Sequence, residues 1–252
     1  MAKYYELVIR DSVFTIGQEI NYFDKNGKNL KSLDLAESYS IILHELGFPD
    51  RKIERLFTIN GKLKVEKQLI DVPNEKADKG DEKFITKLDG KYKEWYPNGV
   101  LHENIDYKKD VLDGDLFTYW DNNQLKRQDL YKDGKLINGK CFTNEGHEID
   151  YFPYQQMPEY PGGEKALLDF INRNLSYPVD AQRQGIQGKV VIRFVVEKTG
   201  YVARIEVYKG VSPELDKEAV RVVKNLPKWK PGMKDGELMS VWYTLPLTFR
   251  LQ

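Results

Sequence analysis

The middle of the chain, residues 90–146, repeats itself with a period of 24 residues. Two full copies share glycine, leucine and tyrosine positions, pairing Gly90 with Gly114, Leu101 with Leu125 and Tyr107 with Tyr131. A third, shorter copy opens at Gly139. Each copy holds two short alternating segments around a turn such as 97–99, which is the pattern of a β-hairpin. A hairpin cannot bury its apolar face alone, so the repeats must stack as neighbouring hairpins.

The region before the repeats carries weaker signals. An aromatic residue stands four positions before a glycine at Phe23 and again at Phe57, which leaves two interpretations open, degenerate repeats or coincidence. Between them, apolar residues at helical spacing predict one helix, which Gly47 ends. The residues of that stripe are Leu35, Tyr39, Ile42 and Leu46.

The repeat motif also resembles a known family. Tyr-x-x-Trp-Tyr-Pro-Asn-Gly-x-Leu over residues 92–101, followed by Tyr-Lys and Asp-Gly, resembles the bacterial MORN-like repeat of antitoxin type. Stacked hairpins need bulky β-forming residues, so the aromatic side chains are predicted to be core rather than a ligand platform. The residues concerned are Trp95, Tyr96, Tyr119 and Trp120.

A change of pattern at residues 151–163 predicts a boundary. This segment holds three prolines and two glycines and breaks both periodicities, as a linker does. The predicted organisation is residues 1–88 with degenerate β repeats and one helix, 89–150 with MORN-like hairpins, 151–163 as linker, and 164–252 as a separate C-terminal domain.

The C-terminal domain follows the order helix, strand, strand, helix, strand. A helix is predicted over residues 164–174, a hairpin turns at Thr199-Gly200, and a second helix starts with Ser212 as cap and Pro213 in its first position. The fold class is therefore α+β, a three-stranded antiparallel sheet with two helices, preceded by a mostly β domain of stacked hairpins. Trp229 is expected to be buried in its core.

The last predicted strand, residues 239–251, alternates apolar and polar residues over thirteen positions and so has one buried face. Pro246 lies inside it. Proline has no N–H to donate to a neighbouring strand, so it is found on edge strands or at bulges. The last strand is therefore predicted to be an edge of the sheet.

This domain resembles the C-terminal domain of TonB, the energy transducer of Gram-negative bacteria, and its Bacteroidetes branch most. The resemblance covers residues 157–252. It rests on Pro161-Gly162-Gly163, Tyr177-Pro178, Gly185, Gly188, Val190, Phe194, Val195, Val196, Gly200, Leu215-Asp216, Ala219, Trp229, Pro231-Gly232 and the run from Tyr243 to Leu251.

The resemblance implies binding of the TonB-box peptide of outer-membrane receptors by β-strand addition along the last strand, in support of energy-coupled uptake. The expected contact residues are Leu238, Met239, Ser240, Val241, Trp242 and Tyr243. Three lysines near this edge are expected to steer an acidic peptide by their charge, and these are Lys228, Lys230 and Lys234. The alternatives are that the repeat domain or a second copy of the chain, as a homodimer, covers the edge.

Family transducers carry an N-terminal membrane helix and a proline-rich spacer, and neither pattern is present in this sequence. We expect a periplasmic location, associated with the inner membrane and its proton-driven motor proteins if an anchor precedes the chain. A cytoplasmic location stays open because no export signal is present. The alternative function is an envelope scaffold or interaction protein with the same fold and no energy coupling.

Other function classes are disfavoured. The chain has 39 basic and 39 acidic residues, which argues against a nucleic-acid partner bound through bulk charge. The single Cys141 and the scattered His44, His102 and His147 show no metal-ligand spacing, so neither a metal nor a cofactor is expected. No catalytic motif is present, and Asp216 and Glu218 are interpreted as helix-surface charges, so we expect no enzyme.

Overall fold

The computed structural model describes residues 6–9, 12–31, 35–77 and 81–251. The chain divides into two compact units, Met1–Tyr151 and Phe152–Gln252.

The first unit, the repeat unit, is one antiparallel sheet in its described part. Successive strands pair with each other from β1 to β12, except that β2 pairs directly with β4 and the short β3 pairs with β2. The strands are β1 Glu6–Ile9, β2 Ser12–Phe23, β3 Asn29–Leu30, β4 Ser38–Glu45, β5 Phe48–Thr58, β6 Leu63–Pro73, β7 Phe84–Trp95, β8 Leu101–Lys108, β9 Val111–Tyr119, β10 Leu125–Lys132, β11 Lys135–Phe142 and β12 Glu148–Ile149.

The helix predicted between residues 35 and 46 is wrong, because Ser38–Glu45 forms strand β4. The two ends of the supposed apolar stripe face solvent, since Leu35 is 80% and Leu46 55% exposed. In the centre, Tyr39 stacks on Phe57 of β5 with ring centroids 5.2 Å apart. A β-branched, aromatic segment with a partner on both sides gains more as a strand than its helical spacing suggests.

Five hairpin turns in the described part of the repeat unit share one geometry. In each, the first residue accepts a backbone hydrogen bond from the fourth and donates one to the fifth, and the fourth has positive φ. This is the three-residue hairpin loop in which glycine suits the left-handed position. The turns are 24–28, 58–62, 96–100, 120–124 and 143–147. The two upstream motifs thus mark hairpins of the same kind, while their descent from repeats stays a prediction.

Side chains of one repeat are hydrogen-bonded to the backbone of the next. These contacts give carbonyl groups in the turns a partner and hold neighbouring hairpins in register. They are Tyr96 Oη to the Tyr119 carbonyl at 2.9 Å, Asn98 Nδ2 to Asp121 at 2.9 Å, Trp120 Nε1 to Phe142 at 3.1 Å and Asn122 Nδ2 to Asn144 at 2.9 Å. Tyr96 and Trp120 therefore serve the fold.

The C-terminal unit confirms the α+β class. Its main sheet has the order β15-β14-β18, and a small sheet has the order β13-β16-β17. The elements are β13 Gln155–Gln156, α1 Gly163–Asn174, α2 Val179–Arg183, β14 Gly188–Val196, β15 Val202–Lys209, α3 Pro213–Lys224, β16 Gly232–Lys234, β17 Glu237–Met239 and β18 Val241–Phe249. The short α2 is additional to the two predicted helices. As predicted, Ser212 caps α3, its Oγ accepting from the Leu215 N–H.

Most of the segment predicted as a linker packs into the C-terminal unit. Strand β13 pairs with β16, and Glu159 is bridged to Lys230. Tyr154 is 4% and Tyr160 8% exposed. The prolines interrupt regular structure here, but the tyrosines between them bury enough apolar surface to hold the segment in place.

Trp229 lies at the centre of the C-terminal core, where it is 2% exposed, as predicted. Its ring centroid is 5.5 Å from that of Tyr160, 5.8 Å from Phe194 and 4.9 Å from Tyr243. These side chains join the segment before α1, strand β14 and strand β18. The buried indole Nε1 has no hydrogen-bond partner among the described residues, so the side chain stabilises the unit through packing.

Glu218 ties α3 to the end of α1 rather than only facing solvent. Its carboxylate accepts from the Ser176 N–H and from Arg221, each at 2.7 Å, and Arg221 also donates to the Asn174 carbonyl. The hydrogen bond from Arg221 lowers the pKa of Glu218 below its ordinary value of 4.5, against the opposing effect of desolvation, and the Ser176 N–H adds to the lowering.

The boundary between the units can be tested with two fragments. We expect residues 152–252 to unfold at a higher temperature than residues 164–252, because the shorter fragment lacks Tyr154, Tyr160 and β13. Circular dichroism melts of the two would show this, and limited proteolysis of the full chain should cut near Tyr151. Equal melting temperatures would contradict the assignment of residues 152–163 to the core.

Replacing Trp229 by alanine should cost about 3–5 kcal/mol of unfolding free energy, because it opens a cavity among three aromatic rings. Urea denaturation of the C-terminal unit measures the change. Trp229→Phe is the matched variant and should cost clearly less, since the indole N–H it removes makes no hydrogen bond. Equal losses in the two variants would show that the N–H, not the ring packing, matters.

Replacing Glu218 by glutamine should lower the unfolding free energy by about 1–2 kcal/mol at pH 7. The folded pKa is depressed, so the contribution is present above the ordinary value of 4.5 and is lost as the pH falls through the folded pKa. Wild type and variant should therefore converge in acid, as followed by denaturation between pH 7 and pH 3. Glu214→Gln on the same helix is the control and should lower the unfolding free energy at pH 7 by less, because Glu214 takes no part in these hydrogen bonds.

Candidate functional site

Strand β18 is a regular edge strand that is paired on one side only. It pairs with β14 through nine consecutive residues, from Val241 opposite Val196 to Phe249 opposite Gly188, without a register shift. Within the described ranges it pairs with no other strand. The prediction of an edge at Pro246 is thus confirmed. The outer backbone groups of β18 therefore take part in no strand pairing within the described ranges.

The opposite edge, β15, is irregular. Its pairing with β14 shifts register twice, and Arg204 has a positive φ of 48°. It also carries Glu206 and Lys209. Bulges and charged side chains are the usual means by which proteins prevent pairing at an edge. Of the two edges, β18 is therefore the one suited to strand addition.

The side chains of β18 alternate between core and solvent. Leu245, Leu247 and Phe249 are buried, whereas Trp242, Thr244, Pro246 and Thr248 are exposed. The exposed row contains no charged side chain, so it offers no electrostatic barrier to an approaching strand.

The predicted contact segment is not one strand. Leu238 and Met239 belong to β17, where Leu238 pairs with Met233 of β16, and the predicted thirteen-residue strand is interrupted at Ser240. The Ser240 Oγ accepts a hydrogen bond from the Lys198 N–H at 3.2 Å. A local hydrogen bond of this kind competes with regular strand pairing. Of the predicted residues, Val241, Trp242 and Tyr243 lie on the free edge.

Trp242 and Tyr243 differ in their surroundings. Tyr243 packs on Trp229 and Phe194, and burial, with the charge of Glu164 adding to it, raises its pKa. Trp242 is 43% exposed. Trp242 therefore presents part of its ring to solvent, whereas Tyr243 packs into the core.

The family comparisons divide along the same boundary. Residues 173–251 match the model of the Gram-negative bacterial TonB protein C-terminal domain. The C-terminal unit is a TonB-type domain. Residues 88–109 and 112–133 match the MORN repeat variant, so the repeat unit contains two recognised MORN repeats, and the shorter third copy lies outside the match. Both are non-enzymatic kinds of domain. Comparisons with curated proteins and with solved structures found no match.

An arginine that the sequence analysis did not single out holds Trp242 in position. The Arg193 guanidinium lies 4.4 Å from the Trp242 ring centroid and 5.5 Å from that of Tyr208, and it is paired with Glu206 at 2.6 Å. A cation over an indole face stabilises the pair. The sequence indicated only which face of the sheet Arg193 occupies. Because it alternates with buried residues of β14, it lies on the face that is open to solvent.

The predicted steering lysines are spread out. Lys228 is exposed and lies beside the ring of Tyr201. The nearby turn contains Gly200, whose carbonyl accepts a hydrogen bond from the Trp229 N–H. In the same turn, the Lys198 N–H donates to the Ser240 Oγ. Lys228 therefore lies at the end of the sheet where β18 begins. The Lys230 Nζ is 3.9 Å from a carboxylate oxygen of Glu159. Lys234, at the end of β16, lies over the ring of Tyr154. Lys228 is the best placed of the three to act on the edge.

In the part of the chain that the structure describes, no helix has the length and hydrophobicity needed to cross a membrane.

Proposed function

We propose that the chain is a TonB-type binding module, which captures the TonB-box peptide of outer-membrane receptors by adding it as a strand to β18 and so supports energy-coupled uptake. The observation that carries the proposal is the unbroken pairing of β18 with β14, which leaves a straight and uncharged outer edge. Main-chain hydrogen bonds would supply affinity, and alternate side chains would supply register.

Pro246 limits where the peptide can pair. In an antiparallel strand, the N–H and C=O of one residue point to the same side, and the side alternates along the chain. Proline is tolerated in an edge strand where its nitrogen faces away from the partner strand. The outward groups are then those of Trp242, Thr244, Pro246 and Thr248. The peptide would bond to Trp242 and Thr244 and would meet no N–H at residue 246.

Side chains beside this segment fit the same role. Trp242 offers an apolar surface held by Arg193, and aromatic residues of this kind often dominate protein interfaces. The charge of Lys228 at the start of β18 would increase the encounter rate of an acidic peptide. The resemblance to TonB supports a location in the cell envelope. Coupling to the inner-membrane motor would require an anchor joined to this chain, and no catalytic role is proposed.

The experiment compares two proline variants of the full chain. Thr244→Pro removes an outward N–H inside the proposed segment, and Thr248→Pro removes an equivalent one beyond Pro246. With synthetic TonB-box peptides of the host's own receptors, calorimetry should show binding weakened about tenfold or more by Thr244→Pro and little changed by Thr248→Pro. Amide shifts on titration should centre on residues 241–245.

Three results would contradict the proposal. The first is peptide binding that is equally weakened by both prolines, and the second is amide shifts on β15 or the helices. The third is a second copy of the chain covering β18, which sedimentation would reveal as a dimer that Thr244→Pro dissociates.

A further inference from the structure

A row of polar residues crosses the middle of the repeat unit. Glu94 of β7 lies opposite Glu103 of β8, Glu103 opposite Thr118 of β9, and Thr118 opposite Arg127 of β10. Residues directly opposite each other share one face of a sheet. Two carboxylates on neighbouring strands therefore come together on the buried side, where Glu103 is 1% exposed.

A bulge adds a histidine to this row. The register of β7 with β8 shifts after Glu94, since Trp95 pairs with Leu101 and His102 is left as the extra residue. Consecutive residues of a regular strand point to opposite faces, but a bulge re-aims its side chains. As a result, one ring nitrogen of His102 and one carboxylate oxygen each of Glu94 and Glu103 all lie within 4.8 Å of one another.

Neighbouring groups hold these side chains in place. The Tyr92 hydroxyl donates a hydrogen bond to Glu94 Oε2 at 2.9 Å. The His102 ring lies on Tyr96, with centroids 4.2 Å apart. Partners of this kind are what fixes metal ligands in proteins.

Two further observations indicate a ligand here. Thr118 is fully buried opposite Glu103, and its Oγ1 has no hydrogen-bond partner among the described residues. Glu94 and Tyr96 also line an open cleft of about 790 Å³ between the turns 58–62 and 96–100. An unpartnered hydroxyl therefore lies on the strand beside Glu103, and Glu94 lines a cleft that is open to solvent.

We propose that Glu94, His102 and Glu103 bind one divalent transition-metal ion, for which Zn²⁺ is the best fit. Imidazole nitrogen and carboxylate oxygen are both ligands that Zn²⁺ takes in proteins, and three protein ligands leave an open fourth position. A set of three protein ligands that includes a nitrogen atom fits Ca²⁺ and Mg²⁺ poorly, because both ions prefer oxygen ligands. Each carboxylate has two oxygens, so Glu94 keeps its bond to Tyr92 and Glu103 keeps its other contacts.

Zinc–ligand distances of about 2.0–2.2 Å place tetrahedral ligand atoms roughly 3.3–3.6 Å apart. The three ligand atoms, which lie within 4.8 Å of one another, would therefore have to come closer together around the ion.

The test uses the full chain after treatment with a chelator. Calorimetric titration with ZnCl₂ should give one ion per chain, and Co²⁺ should give the visible absorption of a four-coordinate site. We expect His102→Ala and Glu94→Gln to weaken Zn²⁺ binding by about 100-fold or more, and Tyr92→Phe, which removes only a positioning group, by about 10–100-fold. His147→Ala changes an exposed turn histidine and should leave binding unchanged.

Thermal melts with and without Zn²⁺ give a second readout, because an ion that binds the folded chain raises its melting temperature. Wild type and His147→Ala should be stabilised, and His102→Ala should not. Any variant that fails to fold is replaced in the comparison by Tyr92→Phe. The proposal is overturned if wild type binds no ion, if His102→Ala binds as wild type does, or if Mg²⁺ competes equally with Zn²⁺.

Discussion

Backbone hydrogen bonds between antiparallel strands are the interaction on which both units depend. In the described part of the repeat unit, each strand except the short β3 is paired in the order of the chain, and the turns and side-chain bonds to the next repeat keep those pairs in register. In the main sheet of the C-terminal unit, β14 has partners on both sides, while the edge strands β15 and β18 have one each. Every open sheet has such edges, and a protein either protects them from pairing or uses them to bind another strand.

The two edge strands of the main sheet in the C-terminal unit, β15 and β18, differ in regularity and charge. Register shifts and the positive φ of Arg204 distort β15, and charged residues line it. Strand β18 has none of these features and instead carries one proline, which restricts pairing at a single position without bending the strand. Behind it, Trp229 and Tyr243 fill the core, so the edge is supported rigidly from the side of the helices. A rigid, regular edge loses little conformational entropy when a peptide binds, which favours strand addition.

Much of this could be predicted from sequence because the deciding signals are local. Pro246 indicated an edge, Ser212-Pro213 started α3, and the order of motifs over residues 157–252 indicated the TonB-type fold. The wrong predictions have a common cause, because the periodicity of a segment does not show which strands it pairs with. The helical spacing around Tyr39 did not reveal strands on both sides of β4, and alternation across Ser240 did not reveal that Leu238 pairs with β16. Nor could the spacing of His102 from Glu94 reveal the bulge that joins them.

Bulges and regular pairing have complementary uses in this chain. At a bulge, neighbouring side chains no longer alternate strictly between the two faces, so consecutive residues such as His102 and Glu103 can reach one site. The same irregularity makes an edge such as β15 a poor template for the pairing of a further strand. An unbroken ladder does the reverse, since it fixes side chains in alternation and leaves a uniform row of outward backbone groups. Side-chain chemistry is therefore expected where the ladder shifts, and recognition of an extended peptide where it does not. The Glu94–His102–Glu103 cluster and the β18 edge lie at these two kinds of position.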